Sequence, residues 1–199
     1  MRPTYNSLHC LLYLLGLSAA EGETTEAERV LLRRLAAGRR RVVEIGVFHG
    51  CGSRLLREAM APDGILTAID PYPRHFLGLR GYGWARIIAH REVAKCANGQ
   101  VQWIETMGKD GPREPRVQAC LPVDFVFFDG DHSWDGLRED WEAWRPHIAP
   151  GGIVCFHDSR AQHATFGCAR FTAEVICKDP EFELLDPADT ITALRRRMG

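Results

Sequence analysis

Short apolar runs alternate with longer amphipathic segments along most of the chain. The apolar runs predict buried strands at residues 42–46, 65–69, 101–105, 123–128 and 153–157. Segments with helical spacing separate them, at residues 26–37, 53–60, 84–97, 134–146 and 166–177. Two further strands are predicted at residues 181–185 and 190–195. This alternation predicts an α/β fold in which a doubly wound, mostly parallel sheet carries helices on both faces.

The first 38 residues lack this alternation and are predicted to form an N-terminal helical extension, with the main domain at residues 39–199. Four leucines have the spacing of an amphipathic helix that packs on the domain or forms a homodimer contact: Leu8, Leu11, Leu12, Leu15. A signal peptide is the alternative, because small residues at 18–20 follow the apolar stretch 10–17. Thr25 and Glu28 have the spacing of a capping box at the start of the next helix.

Composition argues against several classes of protein. A formal net charge of −1 gives no electrostatic reason to expect nucleic acid or an acidic membrane surface as a partner. The apolar stretch near the N-terminus is too short to span a bilayer. The seven cysteines include no Cys-x-x-Cys pair, which disfavours a cysteine-based zinc site and indicates a reduced, cytoplasmic protein.

The stretch at 42–53, VVEIGVFHGCGS, is the strongest candidate for a ligand-binding turn. A buried strand leads into Gly46, Gly50 and Gly52, which lack the Cβ atoms that would hold a ligand away from the backbone. The helix that follows would offer unpaired N–H groups to the ligand. The spacing departs from the dinucleotide fingerprint G-x-G-x-x-G, because Phe48 stands where the second glycine is expected. The turn therefore predicts close approach of a ligand without naming that ligand.

Ionisable residues follow the predicted strands where parallel strands end, and ligands bind at that edge of such sheets. Asp70 follows the second strand, where a carboxylate suits the two hydroxyls of a ribose. Carboxylates and an imidazole after the fourth and fifth strands suit a small divalent cation: Asp129, His157, Asp158. His132 suits a general base on a substrate hydroxyl, because an imidazole titrates near neutral pH.

The motifs at 43–50, 69–70, 123–132 and 151–158 resemble those of class I S-adenosylmethionine-dependent methyltransferases. The best match is with small-molecule O-methyltransferases of the caffeoyl-CoA and catechol type and bacterial relatives that carry an Asp-x-Asp-His loop. This resemblance implies a Rossmann-like sheet of seven strands whose last hairpin contains an antiparallel strand. It also implies a set of contacts to S-adenosylmethionine: Glu44, Gly46, Val47, Phe48, Gly50, Gly52, Ser53, Asp70, Thr106, Met107, Asp129, Asp131.

The same resemblance implies that Asp129 and His132 are catalytic, because His132 takes the place of the lysine base of the plant enzymes. In the metal-dependent relatives an acid after strand four and an Asp-Asn pair after strand five bind Mg²⁺ or Mn²⁺. Here the pair has become His157-Asp158, which exchanges an oxygen ligand for nitrogen and either shifts the metal preference or ends metal binding.

The expected function is methyl transfer from S-adenosylmethionine to a hydroxyl of a small molecule, assisted by a divalent ion. Residues 72–83, interpreted as a loop or lid, and residues 106–116 would shape the acceptor pocket. Three alternatives stay open: a metal-independent methyltransferase, a nicotinamide-dependent oxidoreductase that uses Asp70, and a non-catalytic binding module.

Overall fold

The computed structural model describes residues 7–72, 83–160 and 165–199. The predicted loop or lid at 72–83 therefore lies mostly outside the described residues. The helices are α1 (Ser7–Leu14), α2 (Glu26–Ala36), α3 (Cys51–Ala59), α4 (Trp84–Ala94), α5 (Pro115–Gln118), α6 (Trp134–Trp144) and α7 (Gly167–Glu174). The strands are β1 (Arg41–Ile45), β2 (Ile65–Ile69), β3 (Gln100–Ile104), β4 (Val123–Phe128), β5 (Ile148–Phe156), β6 (Phe182–Leu184) and β7 (Thr192–Arg196).

These strands form one seven-stranded sheet in the order β3-β2-β1-β4-β5-β7-β6. The pairs from β3 to β5 are parallel, and β7 runs antiparallel to both β5 and β6. The prediction of a doubly wound, mostly parallel sheet with an antiparallel strand in its last hairpin is confirmed. Ile45 pairs with both Ile69 and Phe128, and Phe128 pairs with Phe156. The carboxyl ends of β1, β2, β4 and β5 are thus in register, so the residues that follow them share one edge.

Two hydrophobic clusters cover the two faces of the sheet, and β4 contributes to both of them. Val126 and Phe128 pack in the cluster under α6 and α7, whereas Phe125 and Phe127 pack in the cluster under α2 and α3. Side chains alternate between faces along a strand, so a strand buried on both sides must be apolar throughout. The apolar run Phe125–Phe128 of β4 has this cause, whereas Asp124 near the start of the strand is only half-buried.

The N-terminal helix forms as predicted, but its buried face differs from the leucine stripe. Leu8, Leu11 and Leu15 are exposed, whereas Cys10 is fully buried. The helix packs on α4, where the Tyr13 hydroxyl donates a hydrogen bond of 2.7 Å to Glu92. Cys10 and Tyr13 therefore lie on the docking face, which leucine spacing alone could not reveal. The homodimer and the boundary at residue 38 stay predictions.

Several predicted boundaries differ from those of the structure, and the start of β5 differs most. β5 begins at Ile148, five residues before its predicted start, because Ile148 pairs with Val123 ahead of a register irregularity. A positive φ at Gly151 lets the strand continue through Pro-Gly-Gly, a sequence that normally indicates a turn. The segment at 106–116, expected to shape the acceptor pocket, contains a 3₁₀ helix, Gly108–Arg113, which Trp144 anchors by donating a 2.9 Å hydrogen bond to the Gly108 carbonyl.

Among the described helices, none has both the length and the apolar character needed to cross a membrane.

Candidate active site

The carboxyl edge of the sheet carries a cavity of about 400 Å³, a size that suits a cofactor-like small molecule. Nine of the residues that were predicted to contact a cofactor line this cavity: Glu44, Gly46, Val47, Phe48, Gly52, Asp70, Met107, Asp129, Asp131. His132 lines it as well. Gly50, Ser53 and Thr106 do not belong to the lining, nor do His157 and Asp158. The fold therefore gathers most of the candidate residues around a single space.

The glycine loop after β1 is held in place by Asp70 at the end of β2. One carboxylate oxygen of Asp70 accepts hydrogen bonds from the N–H groups of Val47 (2.9 Å) and Phe48 (3.0 Å). The other oxygen accepts a 2.7 Å hydrogen bond from the N–H of Tyr72. A carboxylate offers about four acceptor positions, so these bonds leave only part of its capacity for a ligand. Asp70 thus stabilises the loop, a role that the sequence did not indicate.

Glu44 and Ser53 meet beneath this loop, on the wall formed by α3. Glu44 is almost fully buried and accepts a hydrogen bond from the Ser53 hydroxyl. Burial raises the pKa of Glu44 well above its ordinary value, and the hydrogen bond from Ser53 offsets only part of that rise. A Cβ atom on Gly52 would collide with the Glu44 carboxylate, which explains the glycine at this position. α3 begins at Cys51, so Ser53 lies inside its first turn and binds Glu44 instead of capping the helix.

Two histidines and two aspartates form a connected cluster after β4 and β5. Nδ1 of His157 lies 3.0 Å from Oδ1 of Asp129 and 3.7 Å from Oδ1 of Asp158. His132 places Nδ1 3.1 Å from Oδ2 of Asp158 and Nε2 3.7 Å from Oδ1 of Asp129. His157 is only 5% exposed and lies below the cavity, whereas His132 reaches the cavity wall.

The charges of this cluster stabilise one another. Burial alone would lower the pKa of His157, but its contacts with Asp129, Asp158 and Glu28 raise it to about 9. The nearby carboxylate of Asp129 raises the pKa of His132, with a further contribution from Asp158. Burial would raise the pKa of Asp129, but both histidines keep it below the ordinary value. The aspartates therefore favour protonated imidazoles, which is the property needed to hold a proton taken from a substrate.

The donor atoms of this cluster suit a divalent cation. One atom each from Asp129, His132 and His157 lies within 4.8 Å of the other two. Ligands on opposite sides of an ion are roughly 4 Å apart when each binds at about 2.1 Å, so this grouping is close to a ligand shell. The three residues whose donor atoms lie this close together include His132, whereas the sequence predicted Asp158 as the third ligand. The predicted metal ligands stay a prediction. A mixed set of nitrogen and oxygen donors favours Mn²⁺, Fe²⁺ or Zn²⁺ over Mg²⁺.

Several residues of the cavity wall were not among the predicted site residues. They come from the segment before α2, the 3₁₀ helix after β3 and one face of α6: Glu21, Gly22, Glu23, Thr24, Gly108, Lys109, Gly136, Glu139, Asp140. The close approach of Gly108 to Asp140 and of Gly136 to Asp131 requires glycine at both positions. Glycines that no turn in the sequence explained were the one sequence signal that could have identified this part of the cavity wall.

Asp140 makes folding stability depend on pH. Burial, with a contribution from the charge of Asp131, raises its pKa to about 7, although the Lys109 backbone N–H and the charge of Lys109 oppose this rise. An unfolded aspartate titrates near pH ~3.9, so the folded state binds more protons between about pH 4 and about pH 7. Stability contributed by the protonated carboxyl is therefore lost as pH rises through that window. We expect Asp140→Asn to change the unfolding free energy more favourably at pH 8 than at pH 4. The difference between the two changes should be up to about 4 kcal/mol.

Urea denaturation at both pH values measures this difference. Asp135→Asn, on the exposed side of the same helix, is the matched control and should leave the pH dependence of the wild type unchanged. An Asp140→Asn protein with the wild-type pH dependence would contradict the prediction.

Comparison with known proteins adds to this geometry. A family profile described as "Methyltransferase domain" matches residues 43–159. The chain is 26% identical over 148 residues to a curated Sinorhizobium fredii protein named "Uncharacterized protein y4gI", an alignment that covers 71% of the chain. The chain spans only 15% of the length of that relative.

Two solved structures share the fold at low sequence identity. The O-methyltransferase TomG from Streptomyces achromogenes, involved in tomaymycin synthesis and solved with SAM, is 19% identical, with 97% of each chain covered and a TM-score of 0.65. The O-methyltransferase from Bacillus cereus, solved with SAH, is 14% identical, with 98% of this chain and 94% of that chain covered and a TM-score of 0.63. The matched family region is more than half of the chain and contains the glycine loop, Asp70 and the Asp–His cluster. The chain therefore belongs to the methyltransferase-domain family.

Proposed function

We propose that this enzyme transfers a methyl group from S-adenosylmethionine to a hydroxyl oxygen of a small molecule. The observation that carries the proposal is one cavity that joins the Asp70-braced glycine loop to the His132 imidazole. The loop offers close backbone approach for a cofactor, and the imidazole offers a base at the wall of the same space. TomG and the Bacillus cereus enzyme, which share the fold, are O-methyltransferases solved with SAM and SAH.

The cofactor would lie across the strand ends, with its ribose at Asp70 and its methionine part beside Glu44 and Gly46. Glu44 accepts a hydrogen bond from Ser53 within a buried site that opposes its ionisation. A cationic amino group next to Glu44 would restore the carboxylate charge, because opposite charges stabilise each other in a site of low dielectric constant. Met107 would flank the adenine, with Thr106 beside it. Gly50 would act indirectly, since its lack of a Cβ lets the loop pack against Ala89 of α4.

The main tasks of the protein would be to align the acceptor oxygen with the methyl group and to remove its proton, because the sulfonium is already a good leaving group. Neutral His132 would accept the hydroxyl proton as the oxygen attacks. Asp158, 3.1 Å from Nδ1, would orient the ring, and Asp129 would help to stabilise the imidazolium that forms. Residues 1–38 would serve as a helical extension of the domain at 39–199.

A divalent ion at this centre would be held by Asp129 and His157, with Asp158 as the third ligand. Such an ion, when bound, would lower the pKa of the acceptor hydroxyl and fix its position. His157 would have to lose its Nδ1 proton to serve as a ligand, since a protonated imidazole nitrogen has no free lone pair.

His132→Ala is expected to lower turnover by about 100-fold or more, because general-base catalysis contributes roughly 10²–10⁴-fold. Binding of S-adenosylhomocysteine should change by less than about threefold, since His132 acts on the acceptor and supplies none of the proposed ribose or methionine contacts. Methyl transfer to a panel of hydroxyl compounds and calorimetry with S-adenosylhomocysteine measure the two quantities. His147→Ala is the control, because His147 lies just before β5 begins, at the edge of the sheet opposite the cavity. Unchanged turnover in His132→Ala would show that the base lies elsewhere.

Calorimetric titration with S-adenosylhomocysteine, with and without Mg²⁺ or Mn²⁺, tests the proposed function itself. We expect stoichiometric binding in the absence of added metal. Failure to bind under every metal condition would overturn the proposal. Activity that survives dialysis against a chelator would assign the proton transfer to the protein's own side chains.

A further inference from the structure

A fully buried glutamate from the N-terminal extension lies behind the Asp–His cluster. Glu28, in the first turn of α2, has no exposed surface, although glutamate side chains are rarely fully buried without partners. Burying a carboxylate is costly unless hydrogen bonds and an opposite charge compensate for the lost water. The partners of Glu28 therefore indicate what the residue is for.

Both carboxylate oxygens of Glu28 are engaged. Oε2 accepts a 2.8 Å hydrogen bond from the backbone N–H of Thr25, which completes the capping box of α2. Oε1 accepts hydrogen bonds from the N–H (2.9 Å) and the hydroxyl (2.5 Å) of Thr190, just before β7. Thr190 in turn binds the backbone after β5: its hydroxyl accepts from the N–H of Asp158, and its carbonyl accepts from the N–H of Ser159. Glu28 thus ties α2 to the segment that carries His157.

The fourth contact of Glu28 is with His157 itself. Oε2 lies 3.5 Å from Nε2 of His157, on the side of the ring opposite Asp129. A capping box needs only the contact with Thr25, so helix capping does not account for the position of this carboxylate against the imidazole. The ring also packs edge-on against Phe127, with 6.2 Å between the ring centroids. The His157 ring therefore lies with a carboxylate near each nitrogen and an aromatic ring on one side.

We infer that Glu28 is the positioning residue that fixes the His157 ring, so that its Nδ1 edge faces Asp129 and Asp158. A histidine in a functional centre commonly has one nitrogen bound by a carboxylate, which sets the orientation of the ring and the direction of the other nitrogen. The N-terminal extension is then a part of the catalytic centre and not only a cover for the sheet. The functional meaning of this role rests on the proposed function, whereas the orientation of the ring can be measured independently.

Glu28→Gln tests the inference, because the amide keeps the shape and removes the charge. We expect the nuclear Overhauser contacts between the ring protons of His157 and Phe127 to be lost or divided between two ring orientations. Thr25→Ala is the matched control, since it removes the hydroxyl that caps α2 and leaves the Thr25 backbone N–H bonded to Glu28. This control should lower the melting temperature while retaining the His157–Phe127 contacts.

Retention of those contacts in Glu28→Gln, with a single ring orientation, would overturn the inference. If Glu28→Gln does not fold, Glu28→Asp replaces it, because the shorter side chain keeps the charge but withdraws it from Nε2. The same loss of contacts is expected, and wild-type contacts in Glu28→Asp would overturn the inference. Calorimetry of the wild type with S-adenosylhomocysteine separates this inference from the proposed function. If the wild type does not bind S-adenosylhomocysteine, the proposed function is contradicted, whereas the ring contacts of His157 still test the role of Glu28.

Discussion

Asp70→Ala is expected to weaken S-adenosylhomocysteine binding by at least about 100-fold, which corresponds to about 2.7 kcal/mol. Two effects act in the same direction. The ribose would lose hydrogen bonds to a charged acceptor, each worth about 1.5–3 kcal/mol. The glycine loop would also lose the carboxylate that accepts from Val47, Phe48 and Tyr72, so the free protein would have to reorder this loop on binding. Calorimetric titration of the two proteins measures the change.

Asp124→Ala is a close control for this experiment. Asp124 accepts hydrogen bonds from two consecutive backbone N–H groups, those of Arg40 (3.0 Å) and Arg41 (2.9 Å), as Asp70 does from Val47 and Phe48. It lies near the start of β4, at the edge of the sheet opposite the cavity. Its removal should cost stability and leave the affinity for S-adenosylhomocysteine within about twofold. Equal loss of affinity in both variants would mean that Asp70 acts only through stability, and wild-type affinity in Asp70→Ala would remove it from the cofactor site.

Gly46→Ala is expected to lower the unfolding free energy by about 3 kcal/mol more than Gly38→Ala does. Both glycines have a positive φ, +88° at Gly46 and +71° at Gly38, so each alanine carries a similar backbone cost of about 1 kcal/mol or more. Only at Gly46 would the new Cβ collide with other atoms, namely the Asp129 carbonyl and Gly130. Nothing lies within 4 Å of the Cβ position at Gly38.

The additional cost at Gly46 arises because the colliding atoms are backbone. A flexible side chain can rotate away from an added methyl group, whereas the Asp129 carbonyl can move only if the ends of β1 and β4 separate. Asp129 would then shift relative to both histidines, so activity should fall together with stability. Urea denaturation of the two variants measures the difference. Equal destabilisation would show that this edge of the sheet can relax around the added methyl group.

Much of this protein could be predicted from the sequence, because the signals involved are local or periodic. Alternating apolar runs and amphipathic segments predicted the sheet, since side-chain spacing along strands and helices is fixed by backbone geometry. The glycine loop was evident because Gly46 and Gly50 allow a backbone conformation that other residues avoid. Asp70 and the Asp–His cluster were found because parallel strands bring their carboxyl ends to one edge.

The sequence by itself thus determined the class of fold, the edge that holds the cavity and most of the polar groups around that cavity. Only the tertiary structure decided which partner each of those groups contacts. Glu28 illustrates the reason: its capping box is a local pattern four residues long, but its contacts with Thr190 and His157 depend on how α2 packs against distant strands. Asp140 joined the cavity for the same reason, because Gly108 and α6 meet only in the folded chain. Contacts between distant segments leave no periodic trace in a sequence, since they arise from packing and not from backbone geometry.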